Sequence, residues 1–228
     1  MQILLILMGL IIAVPVYAME LEIKLVNPPK NLINCSAKTM AVTETKDQYT
    51  VNPIYNCDIR LANSIQTNEQ FYDVYKVLQD ADENDRILIQ GDGYGGSASV
   101  TKNLMNAIKS SKAEITIQIN SEAYSGHGYL LTSADHLIVN NTSLILFHRS
   151  SAYKEYVKGC KENFANKTDR GMSAEKKCLR LYKAEEQQEN IFLKQTLGAI
   201  LTKDEFSGLL NGADIILSGA EFNKRMSK

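Results

Sequence analysis

Four short segments carry residues able to do chemistry: Gly-Asp-Gly-Tyr-Gly-Gly (Gly91–Gly96), Tyr-Ser-Gly-His-Gly (Tyr124–Gly128), Leu-Phe-His-Arg (Leu146–Arg149) and Ala-Asp-Ile-Ile-Leu-Ser (Ala213–Ser218). In chain order they supply a glycine loop, a serine, a histidine and an aspartate. These are the parts of a serine hydrolase: Ser125 as nucleophile, His148 as the base that takes its proton, and Asp214 as the group that orients the imidazole. Backbone N–H groups of Gly126 and of the glycine loop, where Gly95 and Gly96 permit close approach, would hold the oxyanion. Taken singly, each residue has a plainer role. Ser125 is a natural helix N-cap, His148 a hydrogen-bonded residue at a strand end, and Asp214 a turn residue before a strand. His127 lies two positions past the serine and faces elsewhere on a helix, which suits a groove or structural role. His136 reads as structural. The joint order favours the catalytic reading, with geometry as the test.

The elements that must position these residues follow from hydrophobic periodicity. Strands are predicted over Ile87–Gln90, Ile115–Ile119, His136–Val139 and Leu144–His148, and helices over Phe71–Leu78, from the glycine loop through Lys109, and over Gly126–Ser133. A last helix at Lys203–Leu210 leads to a short strand, Asp214–Leu217. Residues 19–60 look β-rich and loop-rich, with strands at Leu21–Val26 and Tyr49–Ile54 and a break at Pro28-Pro29. After Arg149 the chain is polar and charged as far as Gln195, which predicts helix facing solvent. Strands alternating with helices over 228 residues predict one α/β domain with a substantial core.

Charge is nearly balanced, 25 basic against 26 acidic residues. With no basic run, the chain has no electrostatic footprint for nucleic acid. Ile3–Val14 is almost wholly apolar and is followed by Val16-Tyr17-Ala18, which predicts a signal peptide over residues 1–18, cleaved after Ala18. Its n-region lacks Lys and Arg; the alternative is a retained anchor, for which the apolar run is short. Export to a periplasmic or extracellular space would make the four cysteines disulfides. Cys35–Cys57 and Cys160–Cys178 are the natural pairs, each closing a loop of about 20 residues and worth ~3 kcal/mol, although three connectivities are possible. With no CxxC and no histidine at ligand spacing, no metal is expected.

Two other motifs compete. Gly91-x-Gly93-x-x-Gly96, with Glu114 downstream, matches a dinucleotide fingerprint. An exported chain has little access to NAD, and no cofactor is expected. Asp80-Ala-Asp82-Glu-Asn84 begins like a calcium loop, but Asp85 stands where glycine is required, which leaves a solvated acidic turn. Asn34, Asn140, Asn141 and Asn166 head glycosylation sequons that matter only in a eukaryotic secretory pathway.

The run Ile87-Leu-Ile-Gln-Gly-Asp-Gly-Tyr-Gly-Gly-Ser, then Ala123-Tyr-Ser-Gly, then Leu144-Ile-Leu-Phe-His, resembles the proteolytic subunit of the Clp protease and its ClpP/crotonase-fold relatives. Asp214-Ile-Ile-Leu-Ser-Gly-Ala-Glu221 fits the family's aspartate segment. The resemblance covers Phe71–His148 continuously and Asp214–Glu221 as an island. It implies a repeated β-β-α superhelix forming a single domain at 71–228, with residues 19–70 as an N-terminal extension of the same domain. A helical, disulfide-bearing insertion would occupy about 150–200. It further implies Ser125, His148 and Asp214 as the triad, Gly96 and Gly126 as oxyanion donors, and a homo-oligomer.

Departures from the pattern lie in the turn Gly93-Tyr-Gly-Gly, which stands for Ser-Pro-Gly-Gly, in Gly126 after the serine, and in His148-Arg-Ser, which stands for His-Gln-Pro. An exported chain would not meet an ATP-driven unfoldase, so no ATPase partner is expected, and short or unfolded peptides become the substrates. Three classes remain: a serine peptidase, a non-catalytic scaffold or binding protein of the same fold, and an acyl-CoA enzyme, which export disfavours. Within the first, a lysine base at Lys158 or Lys167 is a variant of the histidine mechanism.

Overall fold

The computed structural model describes residues 31–45, 48–150 and 169–227. The expected signal segment, the strand at Leu21–Val26, Cys160, Lys158 and Lys167 lie outside the described residues. What is described forms a mixed α/β domain around one hydrophobic core.

Its centre is a five-stranded sheet in the order β1-β2-β4-β6-β8. The strands are β1 (Leu32–Thr45), β2 (Gln48–Arg60), β4 (Arg86–Gln90), β6 (Glu114–Ile119) and β8 (His136–Val139). β1 and β2 are an antiparallel hairpin, and β2, β4, β6 and β8 run parallel. Alternation explains the strands: Ile115, Ile117 and Ile119 are buried, whereas Glu114, Thr116 and Gln118 between them are half-exposed. Helices α1 (Tyr72–Asp80) and α2 (Ala98–Ser110) supply the covering apolar stripes, Val74 and Leu78 from α1, and Val100, Leu104, Met105 and Ile108 from α2.

The hairpin joins the sheet through β2, which pairs with β4. Cys35 and Cys57 face one another across it and are disulfide-bonded, which suits an exported protein. Cys178 is disulfide-bonded as well. Its expected partner, Cys160, is outside the described residues.

Successive strands leave the large sheet for smaller ones. β3 (Ser64–Ile65) pairs with β5 (Gly95–Gly96) in the glycine loop. β7 (Glu122–Tyr124), β9 (Leu144–Phe147) and β10 (Ile215–Ser218) form a three-stranded sheet in the order β10-β9-β7. Between β4 and β9 the chain goes twice from large sheet to small sheet to helix, by β4-β5-α2 and by β6-β7-α3, where α3 is Gly126–Leu130. The third turn, β8-β9, delivers His148. After residue 168 comes a 29-residue helix, α4 (Asp169–Leu197), then α5 (Lys203–Leu210), β10 and α6 (Gly219–Met226). As the charge pattern predicts, α4 is mostly exposed along its described side chains. Leu193 and Leu197 near its end are buried. A capping box of Thr202 and Glu205 opens α5, and Arg225 of α6 reaches the same Glu205 at 2.7 Å.

Candidate active site

The turn from β6 to β7 is set by Asp92 of the glycine loop. One carboxylate oxygen accepts N–H bonds from Ser121 (2.7 Å), Asn120 (3.0 Å) and Glu122 (3.2 Å), and the Ser121 hydroxyl at 3.1 Å. Burial raises the Asp92 pKa, but these bonds to the ionised form outweigh it and hold the group below the usual carboxylate range. Ser125 follows β7 with φ +54° and ψ −119°, the sole non-glycine residue at positive φ among the described residues. Such a backbone is strained and persists where its surroundings over-determine it. Here the Ser125 N–H donates to the Leu146 carbonyl (2.8 Å), and the Tyr129 N–H to the Ser125 carbonyl (3.0 Å). Ser125 stands at the N-cap position of α3, yet its side chain makes no capping hydrogen bond. The plain explanation for a serine at this position therefore does not apply to its hydroxyl.

The glycine loop presses on this turn. Gly95 has φ +86°, and a Cβ there would lie 2.5 Å from the Gly126 nitrogen and 2.6 Å from the Ser125 Cβ, a space that only glycine leaves open. His127 pins the loop from beneath. It is fully buried; its Nδ1 accepts the Gly95 N–H at 2.9 Å, and its Nε2–H donates to the Ala62 carbonyl at 3.1 Å. That arrangement requires the neutral ring, and burial lowers its pKa from 6.5 to about 4. The structural role expected of His127 is thus clamping of the oxyanion loop. The Ser97 N–H donates to the Ile65 carbonyl.

His148 comes from the other side. β7 and β9 pair in parallel with Tyr124 against Leu146, so the chain just past each strand end brings Ser125 and His148 to one edge. The Tyr129 hydroxyl donates to the His148 carbonyl at 2.8 Å, and burial raises that phenol's pKa. The His148 Nδ1 lies 2.8 Å from the Arg149 carbonyl. A carbonyl only accepts, so Nδ1 carries a proton; of the two neutral tautomers this selects the one with its lone pair on Nε2, which a base requires.

Arg149, its side chain 9% exposed, anchors this corner. Its Nε donates to Glu189 (3.0 Å), one terminal nitrogen to the Leu210 carbonyl (2.9 Å) and the other to Asn190 (3.0 Å), with Glu186 at 3.7 Å. The end of α4 is thereby held against the strand that carries His148.

Between these parts lies a small cleft of about 100 Å³, partly open to solvent. Ser125, Gly126, Gly96 and His148 all line it, so four of the five catalytic candidates meet at one place. Tyr129, Phe192 and Leu193 form apolar wall, and Lys102 and Glu189 bring charge. Asp214 does not line the cleft and has no hydrogen bond or ion pair to His148. The antiparallel register of β9 with β10 sets Phe147 opposite Ile215. Continued by one residue, that register places Asp214 across from His148. No hydrogen bond joins Ser125 to His148. Among the described residues no group of His, Cys, Asp and Glu side chains could hold a metal ion, and no helix is long and apolar enough to cross a membrane.

Asp92, Lys102, Tyr129, Arg149 and Glu189 were not singled out by the sequence reading. Arg149 directly follows the histidine and Asp92 sits inside the glycine motif, so adjacency was the available signal for both. Glu189 is forty positions from its partner and gave none. No protein-family model matches the chain, and a search of curated proteins finds no similar sequence.

Proposed function

We propose that this chain is a serine peptidase that works through an acyl-enzyme on Ser125. The observation that carries the reading is the placement of a serine whose side chain makes no capping bond, on a positive-φ strand-to-helix turn, in the same cleft as His148, Gly96 and Gly126. In the proposed reaction the Ser125 hydroxyl attacks a peptide carbonyl while His148 Nε2 takes its proton. The N–H groups of Gly96 and Gly126 hold the oxyanion, and the amine leaves with the proton from His148. Water then attacks the ester through the same base, releasing the acid and restoring the serine. The Arg149 carbonyl orients the imidazole in the present conformation, with Asp214 next to it in register.

The turns from large sheet to small sheet to helix support the proposed kinship with the ClpP/crotonase fold, and with it a homo-oligomer acting on short or unfolded peptides without an ATPase. The disulfides support an exported protein.

The second reading is a non-catalytic scaffold, favoured by the missing contact between His148 and Asp214. Fluorophosphonate labelling separates the two. Labelling of the wild type that is lost in Ser125→Ala and falls roughly a thousandfold in His148→Ala is the expected result. A folded wild type that does not label would leave the scaffold.

A further inference from the structure

Lys102, on α2, lines the cleft beside Ser125 and has no carboxylate partner among the described residues. Its ammonium lies 4.6 Å from the centroid of the Phe192 ring, a cation–π contact that occupies one side of the group. An ammonium has three donors, and the ring face leaves hydrogen-bonding capacity unused. The cleft's own carboxylate, Glu189, is already engaged through both oxygens. One accepts from Arg149 Nε at 3.0 Å and the other from the Ser150 N–H at 3.1 Å. The remaining walls near Lys102, among them Ala98, Tyr129, Phe192 and Leu193, are largely apolar. A ligand that fills this space meets apolar surface ending in an uncommitted positive charge.

We propose that Lys102 makes the cleft selective for a substrate carboxylate, carried either on an acidic side chain beside the scissile bond or as a free peptide C-terminus. The proposal rests on the peptidase reading of the same cleft and names its substrate class. A carboxylate placed against the Lys102 ammonium in a partly enclosed cleft forms a charge-assisted hydrogen bond that its neutral amide cannot match, worth roughly tenfold in kcat/KM.

Two pairs of synthetic peptides test it and separate the two sources: Glu against Gln at the residue preceding the scissile bond, and a free against an amidated C-terminus. For the wild type the carboxylate member of at least one pair is expected to be cleaved about tenfold faster. Lys102→Met is expected to bring that member down to its neutral counterpart, and Lys102→Glu to shift preference toward Lys at the same substrate position. This gain cannot arise from misfolding.

Equal rates within both pairs for the wild type, or a preference that survives Lys102→Met, would overturn the proposal. Total loss of fluorophosphonate labelling in a folded Lys102→Met protein would do so differently, by making the lysine the base. A wild type that labels but ignores the carboxylate fails this inference alone. One that neither labels nor cleaves fails the peptidase reading and this inference with it.

Discussion

The two halves of the cleft are held by different means. On the nucleophile side the parts are over-determined by several independent contacts: Asp92 fixes the turn before Ser125, His127 clamps Gly95, and Gly95 presses on Gly126. On the base side His148 depends on a corner assembled from distant pieces. Arg149 joins the strand end to Glu189 and Leu210, forty and sixty-one positions away. The first half is held by close backbone contact and by several polar bonds, those of His127 buried. The second is as good as the docking of α4 on the domain. Damage to the first should cost stability and chemistry together, whereas damage to the second should misplace the base.

Gly95→Ala should show the largest loss. Its Cβ meets backbone rather than a yielding side chain, and its φ of +86° strains any other residue. Strain and overpacking together should cost on the order of 4 kcal/mol, read by urea denaturation, and probe labelling should vanish with it. A Gly95→Ala protein as stable as the wild type would show that the loop is not tightly clamped.

Arg149→Ala comes next, because it strands Glu189 in a mostly buried position. About 3 kcal/mol is expected, the low end for breaking a buried pair, since Glu186 and Glu189 keep some solvent. A kcat that falls more than KM rises would distinguish misplacement of His148 from damage to the cleft walls.

Acid should act on the nucleophile side. The pKa of His127 falls from 6.5 to about 4 on folding, so the unfolded chain binds the extra proton first. The stability held by the neutral ring is complete above pH 6.5 and is lost as pH falls toward 4, on the order of 3 kcal/mol over that window. Unfolding free energies measured across the window should show this loss in the wild type relative to His127→Gln, which cannot titrate. Parallel curves for the two proteins would remove His127 from the clamp.

Asp214→Asn should have the smallest effect, with labelling lowered less than about fivefold, because the Arg149 carbonyl holds Nδ1. A drop near a thousandfold would return the orienting role to Asp214 and show that this corner rearranges before the reaction.

The same contrast explains what could be read in advance. β4, β6 and β8 announce themselves through alternating or continuous isoleucine and leucine, and Ser125 through its place between a strand and a glycine-rich turn. Strand β1 did not, because Leu32–Thr45 is rich in Ser, Thr and Ala and its pairing is set by the partner strand. The three-residue β7 is too short for any period to show. The helical, solvent-facing character of α4 followed from its charge, but not the burial of Leu193 and Leu197 or the reach of Glu189 to Arg149, which are tertiary contacts without a local signal. The last strand was expected at Asp214–Leu217 and runs Ile215–Ser218, which leaves Asp214 just before it, and the register continued by one residue carries it opposite His148. Whether its carboxylate turns inward is a matter of side-chain geometry that no motif encodes.

The most direct test of the account is mass-spectrometric location of the adduct formed when the folded, oxidised protein meets a fluorophosphonate. The account predicts a single phosphonylated residue, Ser125, with no adduct once the protein is unfolded in urea. An adduct on another serine, or none on the folded protein, would contradict it.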